Sequence, residues 1–129
     1  MAGTFATAIN CIDGRAQHPV SNWLKTYAHV DYIDVVTMPG PDKVLSSGDS
    51  PANELIRHNV GISVNAHHAA IVAIAGHHAC AAFPVEREEH LKAIRQAMNV
   101  VASWGYPVEV VGLYVNDQWM VEQVSDDVA

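Results

Sequence analysis

Residues of metal-binding type follow two separate apolar stretches of the chain. His77 and Cys80 stand three residues apart, just after an apolar run that begins at Ala69 and ends at Gly76. Such a run predicts a central strand buried on both faces. The second cysteine, Cys11, follows another short apolar run. In proteins with an open parallel sheet, small molecules and ions bind beyond the carboxyl ends of the strands. The side chains of Cys11, His77 and Cys80 could meet there and hold one zinc ion.

Two charged residues, Asp13 and Arg15, follow Cys11 at alternate positions. If the first strand continues this far, all three side chains share one face, because side chains alternate along a strand. Arg15 can then grip the Asp13 carboxylate through two hydrogen bonds and keep it ionised. The alternatives are packing thiols or a disulfide for the cysteines, and a structural ion pair for Asp13 and Arg15.

The remaining sequence predicts strands and helices in alternation. Apolar runs predict five strands, at Phe5–Ile12, Val30–Thr37, the run from Ala69, Val108–Val115 and Trp119–Val124. Helical spacing and start signals predict three helices, at Pro19–His29, Pro51–Asn65 and from Pro84 to the stop at Gly105, with a loop at Lys43–Asp49. This order predicts an α/β fold with a mostly parallel sheet, crossover helices and a C-terminal antiparallel edge strand.

Composition narrows the function classes. With 129 residues the chain is expected to form a single domain, 1–129, large enough for a true core. A formal net charge of -7 argues against nucleic acid as a partner. There is no apolar run of membrane-spanning length, so no membrane partner is expected. Two cysteines and no export signal predict reduced thiols and a cytoplasmic protein.

The segment Cys11-Ile12-Asp13-Gly14-Arg15 and the later segment Gly76-His77-His78-Ala79-Cys80 carry a family resemblance. Together they resemble the Cys-x-Asp-x-Arg and His-x-x-Cys signature of β-class carbonic anhydrases. The resemblance implies zinc ligands at Cys11, His77 and Cys80 and a catalytic dyad of Asp13 and Arg15. It also implies reversible hydration of carbon dioxide to bicarbonate, and a homodimer or higher homo-oligomer.

The chain departs from the family pattern in its expected pocket wall. It is short for the family, no N-terminal helical arm is expected before Phe5, and Thr37-Met38-Pro39-Gly40 stands where the family has an Arg-Asn-Ala-Gly-like segment. Carbonyl sulfide or carbon disulfide is therefore an alternative substrate, and a non-catalytic zinc domain that acts in assembly is a third interpretation. With no arm, the helix Pro19–His29, through Trp23 and Tyr27, is the expected replacement contact between subunits.

Overall fold

The computed structural model describes residues 3–125, and strands and helices alternate along most of this span. The strands are β1 (Phe5–Asn10), β2 (Tyr32–Thr37), β3 (Ile71–His77), β4 (Glu109–Val115) and β5 (Val121–Val124). The helices are α1 (Gly14–Ala28), α2 (Pro41–Ser46), α3 (Pro51–His67) and α4 (Arg87–Ser103). No helix within this span is long and apolar enough to cross a membrane.

The five strands form one sheet in the order β2-β1-β3-β4-β5. The pairs β1–β2, β1–β3 and β3–β4 are parallel, whereas β4 and β5 form an antiparallel hairpin. The predicted α/β fold with an antiparallel edge strand is therefore confirmed. Because β1 and β3 are neighbours, the chain segments that leave their carboxyl ends lie side by side.

Apolar clusters fill both faces of the sheet. Helices α2, α3 and α4 cover one face, with buried side chains that include Leu45, Ile56 and Ile94. Helix α1 covers the other face with Ala16, Val20 and Leu24. Burial on both faces explains why β1 and β3 are mostly apolar and do not alternate between apolar and polar residues, as is typical of central parallel strands.

Helix α1 begins five residues earlier than predicted. Strand β1 ends at Asn10, and Asp13 caps the helix by accepting a hydrogen bond from the Arg15 backbone amide. Pro19 therefore lies inside the helix and not in its first turn. The strand therefore does not continue to Arg15, and the condition for a shared strand face is not met. A helix N-cap, rather than strand alternation, brings Asp13 and Arg15 together.

Other element boundaries also differ from the prediction. The segment predicted as a loop from Lys43 contains most of α2, which starts because Pro41 occupies its first position after a left-handed Gly40. Helix α4 begins at Arg87, three residues after Pro84. Strand β5 begins at Val121, so Trp119 belongs to the hairpin turn.

Candidate metal centre

Cys11, His77 and Cys80 converge at the carboxyl edge of the sheet. Cys11 directly follows β1, His77 is the last residue of β3, and Cys80 lies in the turn beyond it. One ligand atom from each residue lies within 4.8 Å of the other two, and the three residues are 4%, 1% and 2% exposed. Tetrahedral zinc with bonds of about 2.3 Å to sulfur places two thiolates roughly 3.8 Å apart. The spacing of the group therefore suits a metal ion of this size.

The hydrogen bonding of His77 presents one ring nitrogen to this group. Its Nδ1 atom lies 2.8 Å from the carbonyl oxygen of His78. A carbonyl oxygen can only accept, so Nδ1 carries the proton and Nε2 keeps its lone pair. Nε2 is buried and has no hydrogen-bond partner within residues 3–125. Such an unpaired buried atom is costly, and a coordinated metal ion accounts for it.

Both cysteines are free thiols, so the disulfide alternative is not realised. Burial raises the pKa of the Cys80 thiol, and the neighbouring Cys11 sulfur raises it further. The backbone amides of Ala82 and Phe83 act in the opposite direction, because they donate hydrogen bonds to the sulfur. Two buried thiolates side by side need a compensating cation, and coordination to zinc deprotonates a thiol outright. The chemistry of the donor set fits zinc.

Two polar residues near β1 fix the position of Cys11. Asn10, which is 1% exposed, accepts a hydrogen bond from the Cys11 amide at 2.8 Å and donates one to the Ala16 carbonyl at 3.2 Å. Gln17 donates a hydrogen bond to the Cys11 carbonyl at 2.5 Å. These contacts tie the cysteine to α1. The sequence reasoning missed both residues, although a polar Asn10 at the end of an apolar strand was a usable signal.

The Asp13–Arg15 pair forms as predicted from the residue types. Arg15 Nε lies 3.0 Å from Asp13 Oδ1, and Nη2 lies 2.6 Å from Oδ2. This bidentate contact, with smaller contributions from the Arg15 amide and from His77, lowers the pKa of Asp13 from 3.8 to about 2, although partial burial opposes the shift. Asp13 is therefore ionised throughout the neutral range. The same Nη2 atom lies 3.4 Å from the Ala79 carbonyl, in the turn between His77 and Cys80.

A cavity of about 490 Å³ borders the turn that carries Cys80. His78 and Ala79 line it on one side, and Arg87, Tyr114 and Glu122 are among the residues on the other. Arg87 forms an ion pair with Glu122 and lies over the Tyr114 ring. The exposed His78 side chain belongs to this cavity wall, whereas His77 faces the sulfurs.

Comparison with known proteins identifies the family. The family model described as "Putative carbonic anhydrase" matches residues 1–125. The chain belongs to this carbonic anhydrase family. No curated protein matches the chain by sequence. Among solved structures, the carbonic anhydrase fold recurs at low identity, which shows likeness of fold alone.

Three solved structures illustrate that fold. A β-carbonic anhydrase from the protozoan Trichomonas vaginalis is 14% identical, with a TM-score of 0.60, over 92% of this chain and 81% of that one. The β-carbonic anhydrase CafA of the fungus Aspergillus fumigatus is also 14% identical, with a TM-score of 0.60, over 96% and 76%. Tetrameric β-carbonic anhydrases from Sordaria macrospora give 13% and 0.58, over 100% and 84%.

All five residues predicted for the site lie at the carboxyl edge of the sheet in this member of the carbonic anhydrase family. Cys11, His77 and Cys80 form a Cys-His-Cys group that could hold a metal ion. Asp13 and Arg15 form an ion pair on the segment that leaves the same strand as Cys11. The catalytic roles of the pair, and the identity of the metal, stay predictions.

Proposed function

We propose that the protein catalyses the zinc-dependent, reversible hydration of carbon dioxide to bicarbonate and a proton. The observation that carries this proposal is the juxtaposition of a buried Cys-His-Cys group with an ionised Asp13 that Arg15 grips through two hydrogen bonds. Membership of the carbonic anhydrase family supports it. Zinc, when bound, supplies a Lewis acid that brings the pKa of a coordinated water molecule towards neutrality.

In this proposal Asp13 is a hydrogen-bond acceptor, and one lone-pair position of its carboxylate is still free to accept a hydrogen bond. A carboxylate offers about four lone-pair positions. Arg15 occupies three of them, with its backbone amide and Nε on Oδ1 and its Nη2 on Oδ2. The remaining position on Oδ2 can accept one hydrogen bond from the attacking water and so orient it towards carbon dioxide. With a pKa of about 2, Asp13 does not retain the released proton at neutral pH.

The metal part of the proposal is tested by zinc analysis and thermal unfolding. Purified protein should contain one zinc per chain, and adding zinc to chelator-treated protein should raise the unfolding temperature, because the unfolded chain lacks the preformed site. Protein that carries no zinc and gains no stability from added zinc would refute this part.

The catalytic part is tested by stopped-flow hydration of carbon dioxide at alkaline pH. Asp13→Asn should keep its zinc and its fold, since Asn is as good an N-cap as Asp. It should lose about 100-fold or more in turnover, in line with the loss of a preorganised polar group that orients the attacking water. The exposed Asp49 gives a matched control, because Asp49→Asn changes the same charge away from the site. Unchanged turnover in well-folded Asp13→Asn would rule out the assigned role.

Parallel assays separate the other candidate activities. Carbonyl sulfide and carbon disulfide are linear triatomic molecules like carbon dioxide, and hydrolysis of either requires the same attack of water on carbon. A kcat/KM for one of them above that for carbon dioxide would reassign the substrate. Zinc-loaded, folded protein without turnover on any of the three would favour the non-catalytic zinc domain.

The proposal includes a homodimer as the smallest assembly. A groove of about 600 Å³ runs between α1 and the hairpin turn, lined on the helix by Pro19, Trp23 and Tyr27, and the Trp23 and Tyr27 rings stack with centroids 4.8 Å apart. Such an open apolar groove suits contact with a second subunit. Sedimentation at micromolar concentration tests this, and a monomer with full hydration activity would contradict it.

The cytoplasm is the proposed compartment. The supporting observation is that the two buried cysteines, Cys11 and Cys80, are free thiols in the structure. Thiols persist in reducing compartments, and the zinc group requires both. Fractionation of the source cells, with detection by antibody, is the direct check.

A further inference from the structure

The hairpin turn between β4 and β5 carries an aromatic residue in an unusual backbone conformation. Trp119 has a φ of 58°, in the left-handed region that residues with large side chains rarely adopt. Residues held in this region cluster at functional sites, where the surrounding structure over-determines them. The position of the Trp119 side chain shows what this conformation achieves.

A single residue, Asn116, determines the shape of the turn through its side chain and its backbone. Its Oδ1 accepts hydrogen bonds from the backbone amides of Gln118 and Met120, at 2.9 and 3.1 Å. Its Nδ2 donates to Glu122 at 3.1 Å, and its backbone carbonyl accepts from the Trp119 amide at 2.9 Å. Five residues are thereby locked together, and the left-handed conformation at Trp119 is imposed by the turn.

The turn places the indole ring over Arg15. The guanidinium carbon lies 4.6 Å from the centroid of the Trp119 ring, within the range of a cation–π contact. The same ring lies 6.3 Å from the His77 ring and 6.3 Å from the His78 ring, centroid to centroid. Trp119 is thus in contact with the dyad and close to the metal-binding turn, although it is far from both in sequence.

Arg15 needs such a support, because its side chain is 54% exposed. Its side-chain hydrogen bonds run to Asp13 and to the Ala79 carbonyl, and the latter is long, at 3.4 Å. An exposed arginine loses considerable rotamer freedom when it is held in one geometry. An aromatic ring stacked on the guanidinium restricts that freedom, so less of it is lost when Arg15 forms its hydrogen bonds to Asp13.

We infer that Trp119 is a positioning residue, which holds the Arg15 guanidinium in the plane that aims Asp13 at the Cys-His-Cys group. This inference rests on the proposed function for its effect on turnover, but its structural part does not. Trp119 touches the dyad through Arg15, so its removal should act only while Arg15 is present. Two measurements separate these parts.

The first measurement is NMR of the Arg15 side chain in metal-free protein. In the wild type, the Nε–H resonance should be shifted by the indole ring current and should exchange slowly with water. Trp119→Leu keeps apolar bulk but no aromatic face, and it should move the resonance to its ordinary position and speed exchange. Trp119→Phe should keep most of both features, and Gln118→Ala, an exposed change in the same turn, should alter neither. An Arg15 resonance unaffected by Trp119→Leu would overturn the inference.

The second measurement is a double-mutant cycle on carbon dioxide hydration. Trp119→Leu should lower kcat by about three- to tenfold with little change in KM, as expected for loss of a cation–π contact. Trp119→Phe should restore most of this loss, and Trp119→Leu should have no further effect in an Arg15→Gln background. Equal losses in both backgrounds would overturn the inference. Wild-type protein without hydration activity would refute the proposed function instead, and the NMR result would then decide on Trp119 alone.

Discussion

A buried acid–base pair lies against Gly76, next to the residue that ends β3. Asp42 of α2 and His90 of α4 are 1% and 0% exposed, and Asp42 Oδ2 lies 2.7 Å from His90 Nδ1. The outer atoms of the pair, Asp42 Oδ1 and His90 Nε2, have no hydrogen-bond partner within the described part of the chain. The hydrogen bond between the two side chains is therefore the one that satisfies both of them within the described part of the chain, and His90→Leu should leave an unpaired buried carboxyl group.

The expected cost of His90→Leu is large on the scale of the fold. Removing one member of a buried pair costs roughly 3–5 kcal/mol. A domain of this kind has a free energy of unfolding of about 5–15 kcal/mol. With a urea dependence of about 2 kcal/mol/M, a loss of 4 kcal/mol moves the unfolding midpoint down by roughly 2 M. The metal-free protein should be used, so that loss of a bound metal ion does not add to the difference.

Urea unfolding followed by circular dichroism gives the measurement. The double variant Asp42→Leu/His90→Leu should recover much of the loss, because two apolar side chains leave no unpaired buried polar group. Lys92→Leu, an exposed change on the same helix, should stay within about 0.5 kcal/mol of the wild type. A loss below about 1 kcal/mol for His90→Leu, or additive losses in the double variant, would refute the reasoning.

Three further predictions concern Gly76 beside this pair, the Arg87–Glu122 ion pair and the candidate metal centre. Gly76→Ala would place a Cβ atom 2.5 Å from Asp42 Oδ2 and 3.1 Å from Ile94 Cδ1, so it should destabilise by about 1–3 kcal/mol in urea unfolding; a neutral substitution would contradict this. Arg87 lowers the pKa of Glu122 below its ordinary 4.5, so this pair contributes stability that is present above pH 4.5 and lost as the pH falls further. Arg87→Gln should therefore flatten the acid limb of the curve of unfolding free energy against pH. An unchanged acid limb would count against a stabilising role of the pair. Chelation of zinc should lower the unfolding temperature, reversibly on zinc addition and not on magnesium addition, because the donor set is sulfur and nitrogen.

Residue type and order along the chain were enough to predict that the Cys-His-Cys group comes together in the fold. Cys11, His77 and Cys80 each stand at the end of an apolar run, and parallel strands bring such ends to one edge. The α/β fold was predictable for the same reason, since alternation of strands and helices leaves few topologies. These inferences use only local pattern and general rules of connection.

The geometry of the Asp13–Arg15 pair was not predictable from strand alternation. The sequence Asp13-Gly14-Arg15 fits a continuing strand and a capped helix equally well by spacing, but Asp is among the best N-cap residues and a poor strand former. Pro19 obscured the helix, because proline is usual in a first turn and uncommon five residues further in. The cap was the stronger local signal.

Contacts between segments that are distant along the chain could not be predicted from the sequence. Trp119 could be assigned to core or interface by type, but its position over Arg15 depends on the hairpin that Asn116 shapes. Likewise, the Asp42–His90 pair joins α2 to α4 across 48 positions in sequence. Spacing rules describe one element at a time, so pairs of this kind appear only when the elements are assembled.

The structural role of Asp13 has a consequence for the proposed chemistry. A carboxylate that caps α1 is held by the helix backbone as well as by the Arg15 guanidinium. Since α1 buries Ala16, Val20 and Leu24 against the sheet, any drift of Asp13 away from the metal group requires the helix start to move. In the proposed reaction, the cap would therefore give the site a rigid acceptor in advance of substrate binding, which is the condition under which a polar group contributes most to catalysis. Trp119, on a turn from the opposite end of the chain, would then serve to restrain the one exposed partner of that acceptor.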